Sequence, residues 1–175
     1  MSADATYVVA PGASCHRNIR LKLEVLGRTQ SQYRPRRSAN GSFYNAQTRA
    51  LREFRAVLSE VCGVGVGDGC LFGDDIPLSV KIVFFMKRPD SHFRRRGDRQ
   101  VGNLKDGMDL EMPHIGTPDA DNLAKFVLDA MQGVVYSDDR FVFSLVAMKV
   151  YDNLGSCSGR TAISVDPFVV DLTRI

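Results

Sequence analysis

The apolar residues of this chain switch repeatedly between a period of two and a helical period, and that alternation constrains the fold more than any other feature. From Ile19 to Leu26 they recur at every second position, with Ile19, Leu21, Leu23 and Val25 on one side and Arg20, Lys22 and Glu24 on the other. That is the pattern of a half-buried strand. From Ala46 to Cys62 the period is helical, with Leu51, Phe54, Val57, Leu58 and Val61 on one face and Gly63 as the stop. Leu78 to Met86 reads as a second, more central strand, and residues 119–132 as a second helix with Leu123, Val127, Ala130 and Met131 inward. Phe141 to Tyr151 is an almost wholly apolar strand, expected to be covered on both faces. Thr161 to Leu172 reads as a last edge strand, interrupted at Pro167. This order predicts a single α+β domain over residues 19–175, a small mixed β-sheet with helices packed on it, behind a leader over 1–18 expected to be flexible. A chain of 175 residues can bury such a core without disulfides or a structural metal.

Several classes are excluded. No apolar run approaches the roughly 18 residues a membrane helix needs, and the first residues lack the charge pattern of a signal or transit peptide. Cys15, Cys62, Cys70 and Cys157 show no C-x-x-C spacing, so they read as reduced thiols of an intracellular protein. The glycines at 63, 65, 67, 69 and 73 lack the Gly-Lys-Ser/Thr ending of a phosphate-binding loop, so no nucleotide or organic cofactor is expected. The formal net charge is only +3, yet residues 1–62 carry +6, 63–118 carry none and 119–175 carry −3. A basic front and an acidic back point to two different tasks.

The acidic task concentrates in Thr117-Pro118-Asp119-Ala120-Asp121-Asn122-Leu123-Ala124-Lys125, followed by Ser137-Asp138-Asp139. Pro118 marks the helix start, whether Thr117 or Asp119 caps it. In a regular helix Asp119 and Asp121 would point about 200° apart, so they share a ligand only if Asp119 is still extended. Lys125 lies one turn beyond Asp121 on the same face. Asp138-Asp139 sits at the other end of the element. Acidic residues also stabilise helix N-termini by about 0.3–1 kcal/mol, and any one of these read alone is a cap. Together they exceed what caps require, and unpaired carboxylates repel each other unless a cation binds. Oxygen ligands without nearby His or Cys select Mg²⁺, with Mn²⁺ as a substitute.

The basic task lies in two loops. One holds Arg28, Arg34, Arg36 and Arg37. The other, polar and glycine-spotted over residues 88–116, follows Lys87 and holds Arg88, Arg94, Arg95, Arg96, Arg99 and Lys105. So long a loop in a compact domain is functional or disordered. Arginine and lysine hold phosphates, and Arg49, Arg52 and Arg55 on the first helix either extend that track or form a solvated face.

Pro118-Asp119-Ala120-Asp121-Asn122-Leu123-Ala124-Lys125, with Leu128-Asp129-Ala130 and Asp138-Asp139, resembles the RusA family of Holliday-junction resolvases. Arg34-Pro35-Arg36 with Gly41 and Tyr44, and Lys87-Arg88-Pro89-Asp90-Ser91-His92-Phe93, are similar to that family's flanking loops. The resemblance covers about residues 19–152. It implies a homodimeric, Mg²⁺-dependent endodeoxyribonuclease that resolves four-way DNA junctions in recombination and repair. Asp119, Asp121 and Asp139 would be the metal-binding catalytic carboxylates, Asp138 a further metal-site candidate, and Lys125 the lysine that stabilises developing negative charge. The expected partners are branched double-stranded DNA and a second copy of the chain, with no membrane. The expected place is intracellular with DNA, in the cytoplasm or nucleoid, or in a eukaryotic nucleus or organelle. Two rivals are a catalytically inactive protein of this fold that only binds branched DNA, and another Asp-x-Asp phosphoryl or glycosyl transferase. The latter usually follows an apolar strand directly, whereas Pro113-His114-Ile115-Gly116 stands ahead of the motif here.

Overall fold

The computed structural model describes residues 20–27, 29–31, 40, 48–65, 69–110 and 112–168, and the backbone alone at 36–37 and 43–44. Its sheet is four-stranded and mixed, formed by β1 (Leu21–Leu26), β4 (Leu78–Met86), β5 (Val142–Tyr151) and β6 (Arg160–Pro167) in the order β1-β6-β4-β5. A two-residue ladder pairs β2 (Arg36–Arg37) with β3 (Phe43–Tyr44). β4 and β5 run parallel, joined through helix α2 (Ala120–Met131), while β6 pairs antiparallel with both β1 and β4. A parallel neighbour requires a crossover, and the helical period at 120–131 supplies it.

Alternation on β4 buries Leu78, Val80, Ile82, Phe84 and Met86 on one face, where α2 and α1 (Thr48–Cys62) cover them. The helices meet at Phe54 and Phe126, whose rings pack edge to face with centroids 5.6 Å apart. Arg55 does not extend a basic track. Its Nη2 donates to the Asp129 carbonyl at 2.7 Å, capping the C-terminal turn of α2. Arg49 pairs with Glu53 on the helix surface. Phe126 is 2% exposed at the centre of this core. Phe126→Ala is expected to cost about 3–5 kcal/mol in urea unfolding; a loss below about 1 kcal/mol would contradict this placement.

Two expectations are corrected and a third is narrowed. The apolar strand β5 is not covered on both faces. It is the outermost strand, with Phe143 65% and Val146 45% exposed, because among the described residues its only strand neighbour is β4 and the α2 contact covers it in part. The last strand, β6, is interior rather than at an edge, and Pro167 is tolerated because it falls at the strand's end, opposite Leu78. Loop 88–116 is ordered where described. Phe93, Leu104 and Cys157 form a small second core there, and the Arg88 guanidinium donates to the carbonyls of Asp152, Asp109 and Leu110.

At the same end of the sheet, Gly159 adopts φ +100° and a Cβ there would lie 3.3 Å from the carbonyl oxygens of Gly27 and Phe85. Only glycine lets β1, β4 and β6 converge so closely. Among the described residues no helix is long and apolar enough to cross a membrane.

Candidate functional site

Asp119 immediately precedes α2 with φ −69° and ψ 149°, the extended conformation that lets its carboxylate share a ligand with Asp121. Its carbonyl accepts the first helical bond, from Leu123 N–H at 3.2 Å, but its side chain makes no capping bond. The cap position is therefore occupied by a carboxylate that does no capping. Asp121, Asn122 and Lys125 are exposed, while Leu123, Ala124, Phe126 and Val127 hold the opposite face in the core. The helix thus presents two carboxylates and, one turn on, an ammonium group to solvent.

A strap over residues 112–118 fixes this helix mouth against the end of β5. Tyr151 N–H donates to the Met112 carbonyl at 2.8 Å, and His114 N–H to the Lys149 carbonyl at 3.0 Å. Lys149 Nζ donates to the carbonyls of Gly116 and Pro118, both at 2.7 Å. Sequence reading missed Lys149; its signal was a lone cation inside an otherwise apolar strand.

The second acidic pair divides its duties. Asp138 Oδ1 accepts from Arg140 N–H at 2.9 Å and so caps the short turn Asp139–Phe141. Asp139 is exposed. The pair lies at the far end of α2, where Gln132 reaches the Ser137 carbonyl and Tyr136 Oη donates to the Leu128 carbonyl. Burial, and then the charges of Asp139 and Asp129, push the Tyr136 hydroxyl pKa up. A twelve-residue helix, about 18 Å long, and the turn after it lie between the two acidic groups in the chain. Accordingly, among the described residues no group of three or more His, Cys, Asp and Glu side chains is placed to hold a metal ion. Asp119 and Asp121 by themselves remain a suitable donor set, because Mg²⁺ takes one or two protein carboxylates and completes its shell with waters and substrate phosphate.

Beside the helix mouth opens a cleft of about 610 Å³ lined by Lys87, Arg99, His114, Thr117, Pro118 and Tyr151 among others. Arg99 donates to Asp90 at 2.6 Å and holds that carboxyl below its ordinary range. Arg94 pairs with Asp106, and Arg95 and Arg96 are exposed. Arg88 is not available to a ligand in solvent: it is wholly buried and its guanidinium is engaged by three carbonyls. Arg28 and Arg34 lie outside the described residues, as do the side chains of Arg36 and Arg37.

The family model for endodeoxyribonuclease RusA matches residues 27–165, a span that holds both acidic groups, the strap and the basic loop. The chain belongs to the RusA endodeoxyribonuclease family. The match runs through most of β6, beyond the Tyr151–Asp152 limit of the motif resemblance. RusA membership makes the chain an endodeoxyribonuclease, a hydrolase of the DNA-cutting class. No curated protein matches it. The matched RusA span contains the exposed Asp119, Asp121 and Lys125, and the cationic cleft adjoins the mouth of their helix.

Proposed function

We propose that this chain is a homodimeric, Mg²⁺-dependent endonuclease that cuts four-way DNA junctions by paired phosphodiester hydrolysis, in recombination and repair. The observation that carries the reading is the exposed pair Asp119 and Asp121, spared from capping and set beside a cleft with cations and no carboxylate among its lining residues. Asp119 and Asp121 would hold the ion. Bound there, Mg²⁺ supplies Lewis-acid polarisation of the scissile phosphoryl oxygen and a lowered pKa for the attacking water. Lys125, one turn from Asp121, offers its ammonium to the charge that develops on the phosphoryl oxygens. Lys149 fixes the backbone ahead of Asp119 through the Pro118 carbonyl. Lys87, Arg94, Arg95 and Arg96 hold flanking phosphates, and so do Arg28, Arg34, Arg36 and Arg37.

The dimer is supported by β5. Phe143, Leu145, Val146 and Met148 are exposed on the strand segment that the strap leaves open, an apolar surface of the kind that marks a protein interface. With two such segments antiparallel about a two-fold axis near Leu145, Asp139 of one copy stands level with Tyr151 of the other, near the strap that ends at Asp119. The third carboxylate of each centre then comes from the second copy, and two centres face two strands of a roughly two-fold junction. Phe143→Glu is expected to leave a folded monomer with cleavage at background, measured by sedimentation and a junction assay. A cleaving monomer contradicts the shared centre.

The test of the function is cleavage of a synthetic four-way junction with Mg²⁺ and with EDTA. Symmetric nicks in opposed strands with Mg²⁺, and none in EDTA, are expected. Binding without cleavage in any divalent metal would instead support the inactive junction-binding protein, and equal cutting of linear duplex would reject structure specificity.

A further inference from the structure

One polar group in the cleft has no structural partner. His114 Nδ1 is buried and makes no hydrogen bond. The ring is held from two directions. It packs edge to face on Tyr151 with centroids 4.8 Å apart, and a Cβ added at Gly116 would lie 3.3 Å from its Cε1. Its own backbone N–H is tied to Lys149. A side chain this constrained presents one fixed edge to the cleft.

Its protonation follows from its neighbours. The charged groups around it are cations: Lys149 from β5, and Lys87, Arg88 and Arg99 from the end of β4 and the loop beyond. The nearby carboxylate of Asp90 is taken up by Arg99. Burial first, and then Lys149, pull the imidazole pKa below its ordinary value, against a smaller upward pull from its own backbone. A buried Nδ1–H without an acceptor would add the cost of an unmet donor, so the proton belongs on Nε2 of a neutral ring.

We propose that His114 is an uncharged hydrogen-bond donor to a DNA phosphate seated in this cleft, with Lys87 supplying the positive charge. The proposal rests on the nuclease reading and adds to it a phosphate subsite and a substrate-positioning residue. The cleft suits an anion, because none of its lining residues is Asp or Glu and Thr117 adds a hydroxyl. It adjoins Pro118, so a phosphate held here belongs to the strand that passes Asp119 and Asp121. A neutral donor fixes orientation without displacing counterions, which distinguishes its contribution from that of a lysine.

The test uses the full chain and a synthetic four-way junction in EDTA, so that binding is read without cleavage. His114→Phe is expected to weaken binding about three- to tenfold at every salt concentration. The slope of log affinity against log salt stays unchanged, whereas Lys87→Met makes it shallower by about one. His114→Gln, which keeps an uncharged N–H donor, is expected to bind like the wild type. In the wild type, imidazole ¹⁵N spectra near neutral pH show the Nε2–H form of His114, and its resonances move when a short synthetic duplex is added. Equal binding by His114→Phe, a changed salt slope in that variant, or His114 resonances that ignore saturating DNA each overturn the inference while the nuclease reading stands. Failure of the wild type to bind the junction at all overturns both.

Discussion

Asp121→Asn is expected to reduce junction cleavage in Mg²⁺ by at least about a thousandfold, the scale on which a pre-organised electrostatic contribution to phosphoryl transfer is lost. The substitution keeps the side chain's shape and removes its charge. Asp121 is exposed in the first turn of α2 and accepts no hydrogen bond among the described residues, so the fold has little stake in it. The lost interaction with the helix dipole amounts to at most about 1 kcal/mol. Junction binding in EDTA should therefore survive, and should strengthen slightly because one carboxylate no longer repels the phosphates. Strand-labelled cleavage rates and a thermal melt of the same preparation check both halves. A folded Asp121→Asn protein that cuts at the wild-type rate would remove Asp121 from the centre.

A stability effect as large as that of Phe126→Ala is expected at Asp152, which contacts no proposed ligand. Asp152 is 3% exposed; its carboxylate pairs with Arg160 and accepts from Gly159 N–H at 2.8 Å and Leu154 N–H at 3.2 Å. Its carbonyl receives Arg88 Nε at 2.7 Å. Arg160, 5% exposed, also pairs with Glu24 and lies over the Phe85 ring. These contacts join the ends of β1, β4, β5 and β6 to the basic loop. Asp152→Ala leaves a buried guanidinium without its main counter-charge and should cost about 3–5 kcal/mol, lowering the melting temperature by roughly 10 °C. Adding Arg160→Met to that variant removes the stranded charge and should recover part of the loss. An Asp152→Ala loss below about 1 kcal/mol would show that the knot is not what secures this end of the sheet.

The helices and the central strand were legible in sequence because periodicity reports a local fact, which side of each element is apolar. The requirement that Asp119 be extended was legible too, since Pro118 and the two-residue spacing from Asp121 allow little else if one ligand is shared. Strand order was not, because it is set by pairing between distant segments. Apolarity in β5 read as two-sided burial when it marks an open edge, and Pro167 read as an edge signal when it only ends an interior strand. Arg88 read as a phosphate ligand because it opens a loop rich in arginine and lysine. Its burial depends on carbonyls 21 to 64 residues away, which no local pattern records. His114 and Lys149 were missed for the same reason. Each matters through where the strap 112–118 meets β5, a contact between segments separate in the chain.

The most direct test of a metal nuclease centre shared between two copies is complementation. Asp121→Asn and Asp139→Asn chains are prepared separately, unfolded, mixed and refolded, then assayed on a synthetic four-way junction in Mg²⁺. Each variant alone should be inactive. In the mixed dimer one centre is doubly damaged and the other holds an intact Asp119, Asp121 and partner Asp139, so the account predicts recovered cleavage with one nick per junction. A mixture as inactive as its components would contradict it.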